Sequence, residues 1–478
     1  MNTKRFKLSL LAAFVLILAT GCEKTIDKIS PEFSLDGSKP IKNLEEAESV
    51  LTGSYSGFLQ DGYYSCSGAN PSGSFNFLPD ISGDDLIETL ESLGNYRRHA
   101  EWTYNNTDPW ISNAWNDVFS VLSPANILLR DIDAVPGDIK AKNRLKGQAL
   151  AIRAHVHFDM LRSWGLSLNR NSTALGVPYV KVYDVNGQPP RLTVKETYDN
   201  ILADLNSAKT LLSSVDRPIN SSTKRAYIDV NVVNAMIARV NFYAGELNAA
   251  AAAAQLVINA VPLATVSEFP EIWTDESVAE VLWAPAFETA ADGYTYENAF
   301  FARGNRSTYR PTSDLIALYQ PGDIRPASYY GVIGGRTVVT KYLGKGSATD
   351  GLVNWKAYRV SEMYLILAES LYTTNQTAAR NALDQLRSNR IIGYTSVGET
   401  GTALLTAIRT ERRKEMAFEG YRFYEYKRLG NLAINRVGCG VGSLSNICSL
   451  SSSSRAWAWP IPQNEIIANP NIQQTPGY

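Results

Sequence analysis

The sequence predicts a mainly α-helical protein in which paired helices alternate with long irregular inserts. Apolar residues recur in steps of three and four, the spacing that places side chains on one face of a helix. Several of these stretches occur in twos, joined by short turns. The pairs are similar to tetratricopeptide units, and about four such units are predicted, scattered along the chain rather than in tandem.

The helices follow from this spacing in chain order. The first is a long amphipathic helix, indicated by apolar residues between positions 145 and 156, that ends at Trp164. A second begins at a capping box formed by Thr193 and Glu196 and extends to Leu212. Two further pairs are predicted over residues 229–245 with 246–261, and over residues 357–371 with 378–389.

The first residues carry signals for export and anchoring. Three basic residues lie within the first seven positions and precede an apolar run over residues 8–19. This order is typical of a signal peptide, and the run is shorter than the roughly 20 apolar residues that span a bilayer. Residues 19–22 resemble the lipobox of bacterial lipoproteins, in which the peptide is cut before a cysteine whose sulfur takes the lipid. We therefore expect residues 1–21 to be removed and Cys22 to carry the lipid.

Charge and metal-ligand content exclude several classes of function. The chain has 46 Lys and Arg against 47 Asp and Glu, so no field of one sign would attract nucleic acid. On a helix, His155 and His157 point to opposite sides and are predicted to pack rather than to bind metal.

Cys439 and Cys448 flank a Gly- and Ser-rich stretch and could close a small disulfide loop, with Cys66 outside it. The sequence does not decide whether this disulfide forms.

Two carboxylates occur on the apolar stripe of a helix predicted over residues 404–418. Glu411 and Glu415 could form a catalytic acid–base pair, but nearby guanidiniums would hold both carboxylates ionised. We therefore interpret them as structural groups that need charged partners. Four arginines within helical or tertiary reach are the expected partners: Arg409, Arg412, Arg413 and Arg422.

Four motifs, in the same order along the chain, resemble those of the SusD/RagB family of Bacteroidetes outer-membrane lipoproteins. The sequence ERRKEMAFEGYR at residues 411–422 resembles the family's ERR-x-E-x-AFEG-x-R helix. Residues 153–165 resemble its RA-x-x-xFD-x-xR-x-WG helix, and residues 358–369 resemble its YRLAE-x-YL-x-xAE helix. Residues 459–478 resemble its closing PIP-x-x-EI-x-x-NP and QNPGY pattern. With the lipoprotein start, the resemblance covers essentially the whole chain.

The resemblance implies a SusD-like fold in which tetratricopeptide-like helix pairs pack against a SusC-like TonB-dependent transporter. It also implies a binding protein rather than an enzyme, anchored by lipid in the outer membrane and exposed at the cell surface. After the signal peptide we expect an N-terminal region over residues 22–230 and a C-terminal region over residues 231–478, within one integrated fold. The implied ligand is an oligosaccharide, with oligopeptide capture by a RagB-like member as the alternative.

Three long inserts over residues 62–109, 165–190 and 262–354 are expected to form the irregular ligand-binding lobe. In the family that the chain resembles, the first and third regions contribute ligand contacts. Aromatic faces would stack on sugar rings, and amide or guanidinium groups would donate hydrogen bonds. Trp110 and Trp115 are instead predicted to be core residues. The candidate contacts are Tyr63, Tyr64, Asn95, Tyr96, Arg97, Trp102 and Tyr104 in the first insert, and Tyr294, Tyr296, Asn298, Arg303 and Tyr309 in the third.

Two other classes of protein fit the sequence less well. A tetratricopeptide scaffold for protein binding would have short polar inserts, whereas these are long and aromatic. A helical glycosidase would need two carboxylates facing each other across a cleft, about 5–10 Å apart. Asp84 and Asp85 are the only tempting pair in the first insert, and neighbours in sequence make a poor acid and nucleophile.

Overall fold

The computed structural model describes residue 37 and residues 39–66, 73–295, 301–302 and 306–478. The predicted signal peptide and Cys22 lie outside the described residues. Within those ranges the chain is mainly helical, as predicted, with fifteen α-helices. These are α1 (Leu44–Gly57), α2 (Leu78–Ile81), α3 (Arg97–Ala100), α4 (Pro109–Asp131), α5 (Ile139–Trp164), α6 (Val194–Leu212), α7 (Val230–Ala244), α8 (Leu247–Ala260), α9 (Ser313–Ile316), α10 (Arg325–Tyr329), α11 (Val360–Leu371), α12 (Gln376–Ser388), α13 (Gly401–Glu415), α14 (Arg422–Arg428) and α15 (Gln463–Ala468).

The strands are short, and those in the described ranges form two-stranded antiparallel pairs. The pairs are β1 (Leu86–Glu88) with β5 (Tyr309–Pro311), β2 (Val281–Trp283) with β8 (Tyr358–Arg359), β3 (Phe301–Ala302) with β4 (Arg306–Ser307), β6 (Tyr330–Ile333) with β7 (Arg336–Val339), and β9 (Ile434–Asn435) with β10 (Ser449–Leu450).

The helices pack in a continuous succession. From α4 to α8, each helix contacts the next, and α8 then packs on α11, which contacts α12 and α13. The predicted helix pairs α7–α8 and α11–α12 are confirmed. Each helix buries its apolar stripe against its neighbours, the usual source of helix stability in a globular protein. The predicted regional boundary at residue 230 falls at the start of α7 and stays a prediction.

Polar caps set the ends of these helices. The carboxylate of Asp138 accepts a hydrogen bond from the Ala141 backbone at 2.9 Å, so α5 begins before the apolar pattern does. The capping box of α6 is confirmed, since Glu196 N–H donates to Thr193 Oγ1 at 3.1 Å and Thr193 N–H donates to Glu196 Oε2 at 2.9 Å. Gly245 ends α7 with φ at 83°, a left-handed conformation that glycine adopts without strain.

The closing segment of the chain clamps the end of α5. Trp164 Nε1 donates to the Pro460 carbonyl at 2.9 Å, and Trp459 N–H donates to the Ser163 carbonyl at 2.9 Å. Arg191, directly after the second insert, donates to the Trp164 carbonyl at 2.7 Å and to Thr475 Oγ1 at 3.1 Å. The WG and closing motifs therefore meet in space, although about 300 residues separate them along the chain.

A buried ionic cluster surrounds the last residue of α13. The carboxylate of Glu415 accepts hydrogen bonds from Arg390 at 3.1 Å, Arg359 at 2.9 Å and Arg325 at 3.1 Å, and all four side chains are 0% exposed. Burial opposes ionisation of Glu415, but the three guanidiniums outweigh it and hold its pKa well below the usual range. Buried charge is thus compensated on three sides.

The structural interpretation of Glu411 and Glu415 is confirmed, but the expected partners were wrong. Glu411 pairs with Arg325, Arg387 and Lys414. The four arginines pair instead with carboxylates of other elements. Arg409 pairs with Glu369, Arg412 with Glu362 and Glu425, and both Arg413 and Arg422 with Asp84 and Asp85.

Replacement of Glu415 by alanine should strongly destabilise the protein. The change leaves three buried guanidiniums without their shared carboxylate, and breaking a buried ion pair typically costs about 3–5 kcal/mol. Urea unfolding followed by circular dichroism measures the change. Glu271→Ala, which removes an exposed carboxylate, is the control and should alter the unfolding free energy little. Equal stability of the two variants would contradict the central role of Glu415.

Candidate ligand-binding site

The first and third inserts, predicted separately, are joined in space. Strand β1 of the first insert pairs with β5 of the third, in a register that places Glu88 opposite Tyr309. The Thr89 backbone donates to the Thr308 carbonyl at 3.0 Å, and the Cys66 backbone donates to the Tyr294 carbonyl at 2.7 Å. We call this junction the seam. It brings the two groups of candidate ligand contacts onto one part of the molecule.

Six candidate rings lie inside the protein and are almost fully buried. The Tyr63 hydroxyl donates to Asp159 at 2.9 Å, the Tyr64 hydroxyl lies 2.9 Å from His155 Nε2, and Trp102 Nε1 donates to the Ser82 carbonyl at 2.9 Å. In this structure these rings pack, and a part for them in ligand binding stays a prediction. The six are Tyr63, Tyr64, Tyr96, Trp102, Tyr104 and Tyr309.

Three candidates reach the surface. Asn95 is exposed, the Arg97 side chain is 37% exposed, and Tyr294 is half-buried. Trp110 joins them, because its ring is only half-buried and its Nε1 donates to the Asn95 carbonyl at 3.0 Å. The core prediction therefore holds for Trp115 but only in part for Trp110. Tyr296, Asn298 and Arg303 lie outside the described residues.

These surface groups are linked through buried neighbours. The Trp110 ring lies 5.7 Å from the Tyr96 ring, and the Tyr96 hydroxyl lies 3.2 Å from the sulfur of Cys66, whose backbone binds Tyr294. We call Asn95, Arg97, Trp110 and Tyr294 the candidate ligand surface. It combines two half-buried aromatic rings with an amide and a guanidinium, the groups that recognise sugar rings and hydroxyls.

The buried side chain of Glu88 orients Arg97, one of the four residues of this surface. Its buried carboxylate accepts hydrogen bonds from Arg97 Nε at 3.1 Å and from the Ser92 hydroxyl at 2.7 Å. The Glu88 hydrogen bond raises the pKa of Arg97, which keeps the guanidinium charged. Arg97 therefore presents its remaining donors to solvent in a direction fixed by the β1 strand.

The groups considered for metal binding or catalysis have structural partners. Burial lowers the pKa of His155 and His157 to about 4, and both pack as predicted. Burial opposes ionisation of Asp84, but Arg422 and Arg413 outweigh it and lower its pKa to about 2. In the described part of the chain, no cluster of three or more His, Cys, Asp or Glu could hold a metal, and no helix is long and apolar enough to cross a membrane.

Two grooves lie away from the seam. One, of about 890 Å³, separates α4 from the second insert and is lined by Phe119, Tyr179 and Tyr183 among others. The other, of about 850 Å³, lies between α1 and the start of α5 and includes Arg144 and Tyr227. No local sequence pattern marks either groove, because each is lined by segments far apart in the chain.

Two family models match the chain. A model of the SusD family matches residues 286–478, and a model described as starch-binding associating with outer membrane matches residues 63–241. The chain belongs to the SusD family. The predicted family and its mainly helical fold are therefore confirmed.

Individual relatives agree with this assignment over nearly the full length. SusD-like protein P2 of Formosa agariphila is 22% identical and is aligned over 99% of this chain and 100% of its own. A SusD superfamily protein of Bacteroides thetaiotaomicron has a solved structure with 27% identity and a TM-score of 0.78, covering 91% of this chain and 100% of that one. A laminarin-binding SusD-like protein, 21% identical, shares the fold with a TM-score of 0.70 and covers 92% and 100% of the two chains.

Trp102 and Trp110 should differ sharply in their effect on stability. Trp102 is 7% exposed, stacks against Arg436 at 4.6 Å and has a left-handed backbone with φ at 55°. Trp102→Ala should lower the unfolding free energy by about 3–5 kcal/mol. Trp110→Ala removes the same kind of side chain from a half-buried position, so it should lower the unfolding free energy distinctly less. Thermal melts of both variants measure this, and a Trp102→Ala variant as stable as the parent would contradict the packing described.

Proposed function

We propose that this SusD family member is a lipid-anchored binding protein of the cell surface. It captures an oligosaccharide and delivers it to a SusC-like TonB-dependent transporter. The observation that carries the proposal is the seam, where two inserts far apart in sequence are joined and where Asn95, Arg97 and Tyr294 accompany Trp110 at the start of α4. Membership of a family whose model is described as starch-binding and outer-membrane-associated supports the same function.

Capture needs recognition but no chemical step. The half-buried rings of Trp110 and Tyr294 would stack on the apolar faces of sugar rings, a contact worth about 1 kcal/mol per ring beyond the buried area. The Asn95 amide both donates and accepts hydrogen bonds, and the Arg97 guanidinium only donates, so the pair suits vicinal hydroxyls. Asp84 and Asp85 are each engaged by Arg413 and Arg422, which favours a binding protein over a glycosidase.

Delivery requires the protein to stay close to its transporter. Residues 22–36 connect the proposed lipid on Cys22 to the described body, and fifteen extended residues span at most about 50 Å. A lipid on Cys22 would therefore keep the described body within about 50 Å of the membrane. The helix pairs would then pack on the transporter, as the family resemblance implies.

Calorimetric titration tests the ligand class and the surface together. Maltoheptaose, laminari-oligosaccharides and a peptide digest form the ligand panel, and we expect binding of a glycan. Trp110→Ala should weaken that binding about five- to tenfold, because it removes one stacked ring. Tyr227→Ala, which removes an exposed ring on the groove beside α1, should leave affinity unchanged. Binding of peptides alone would replace the oligosaccharide by an oligopeptide.

The anchor and the partner are tested in the native host. Cys22→Ala should abolish globomycin-sensitive labelling by a fatty-acid analogue while the protein still folds. Gentle detergent extraction of the unaltered protein should co-purify a large TonB-dependent barrel. Lipid labelling that persists in the variant would refute the anchor, and recovery of free protein in every detergent would count against the transporter.

A further inference from the structure

The disulfide near the C-terminus has no part in the function proposed so far. Cys439 and Cys448 are bonded, which settles the pairing that the sequence left open. We call residues 439–448 the disulfide loop. Strands β9 and β10 flank it, and the Arg436 backbone donates to the Cys448 carbonyl at 2.8 Å. The bond therefore closes a loop whose two ends are already held together by a short antiparallel pair.

Arg436 fixes the base of this loop on the first insert. Its guanidinium is buried and donates to the carbonyls of Gly83 at 2.7 Å, Ala100 at 2.7 Å and Ile81 at 2.9 Å. It also lies over the Trp102 ring. A charged group buried with three carbonyl acceptors holds its position strongly, since loss of any acceptor leaves a donor unsatisfied. The loop can therefore move only beyond residue 436.

The loop itself contacts the segment that carries the candidate ligand surface. Ser443 forms an antiparallel bridge with Thr89, directly after β1. The Asn446 backbone donates to Glu101 Oε1 at 2.6 Å. These two contacts bracket the residues between 89 and 101, among which Asn95 and Arg97 lie. The disulfide loop thus contacts both ends of the segment that carries Asn95 and Arg97.

Ser445 and Arg97 share one acceptor atom. The Ser445 hydroxyl donates to Glu88 Oε2 at 2.8 Å, and Arg97 Nε donates to the same oxygen at 3.1 Å. The Glu88 side chain is 0% exposed, so water does not compete freely for that oxygen. Any displacement of the loop therefore changes the hydrogen bonding of the group that orients Arg97.

Apolar side chains project outward on both sides of this contact. Leu90 is 64% exposed and Leu93 is 72% exposed on the first insert, while Val441 is 79% exposed on the disulfide loop. Large exposed apolar groups gathered around a polar recognition surface are typical of ligand contacts. The C–H faces of a sugar chain extending past Trp110 and Arg97 would meet such a rim.

We propose that the disulfide loop is a third wall of the ligand site, and that it positions Arg97 through Ser445 and Glu88. This inference rests on the proposed function of the seam. The disulfide limits the loop to conformations in which Ser445 stays hydrogen-bonded to Glu88. The loop therefore loses less conformational entropy when a ligand binds. Val441 and its neighbours would contact the oligosaccharide directly, whereas Ser445 and Glu88 act as positioning residues.

The test compares variants that open or loosen the loop. The double variant Cys439→Ser with Cys448→Ser removes the disulfide. Ser445→Ala removes the hydrogen bond to Glu88 and keeps the disulfide. Two variants serve as controls. Ser445→Thr retains the hydroxyl, and Ser453→Ala changes an exposed serine outside the loop. Thermal melts identify variants that remain folded.

Two readouts separate positioning from binding. Hydrogen exchange of the backbone between residues 89 and 97 should accelerate in the double variant and in Ser445→Ala, but not in Ser445→Thr or Ser453→Ala. Affinity for maltoheptaose or laminariheptaose should fall about three- to tenfold in the first two variants and by less than about twofold in the others.

The outcomes distinguish this inference from the proposed function. Unchanged exchange in the first two folded variants would overturn the positioning of Arg97 by the loop. Unchanged affinity in variants of a glycan-binding parent would overturn the third wall. If the parent protein binds neither glycan, the proposed function and the third wall both fail. The hydrogen-exchange measurement then still decides whether the loop positions Arg97.

Discussion

The carboxylate of Glu415 is the point at which the irregular part of this protein is fixed to its helices. Arg325 lies at the start of α10, Arg359 in β8 and Arg390 just after α12, so one carboxylate joins three segments to α13. Burying charge is costly unless each group finds enough partners. Here the cluster extends further, because Glu280 also accepts from Arg359 and Arg390 at 2.6 Å each.

This cluster explains how a long insert that has only short helices and strands keeps a defined position. Glu280, Arg325 and Lys341 all belong to the third insert, and Lys341 donates to Glu419 at 2.7 Å beside the same cluster. Aromatic rings shield the charges, with Arg390 4.1 Å from the Phe269 ring and Lys341 3.6 Å from the Tyr329 ring. Charge pairing at these points holds the insert, and so holds β5 against β1 at the seam.

The motifs that mark the family are therefore structural. Glu415 and Arg359 belong to the ionic cluster, and Glu362 binds Arg239 with hydrogen bonds of 2.6–3.1 Å. Trp164 and the closing residues clamp the end of α5. The candidate ligand surface lies in inserts that carry none of these motifs. A scaffold fixed by shared motifs can thus present different side chains for different ligands.

The sequence alone determined the features that arise from neighbouring residues. Helix positions follow from apolar spacing, and the capping box of α6 follows from Thr193 and Glu196, because these interactions act within one or two turns. The motifs likewise indicated the family. The sequence also predicted that the first and third inserts would supply the ligand lobe, and the structure joins them through β1 and β5.

Only the tertiary structure decided which distant groups meet. It paired Glu415 with Arg325, Arg359 and Arg390 rather than with the arginines of its own helix. It buried Trp102, which the sequence proposed as a ligand contact, and left Trp110, which the sequence predicted as core, only half-buried. Burial and ion pairing depend on segments up to hundreds of residues apart, and the local sequence around a side chain carries no record of them.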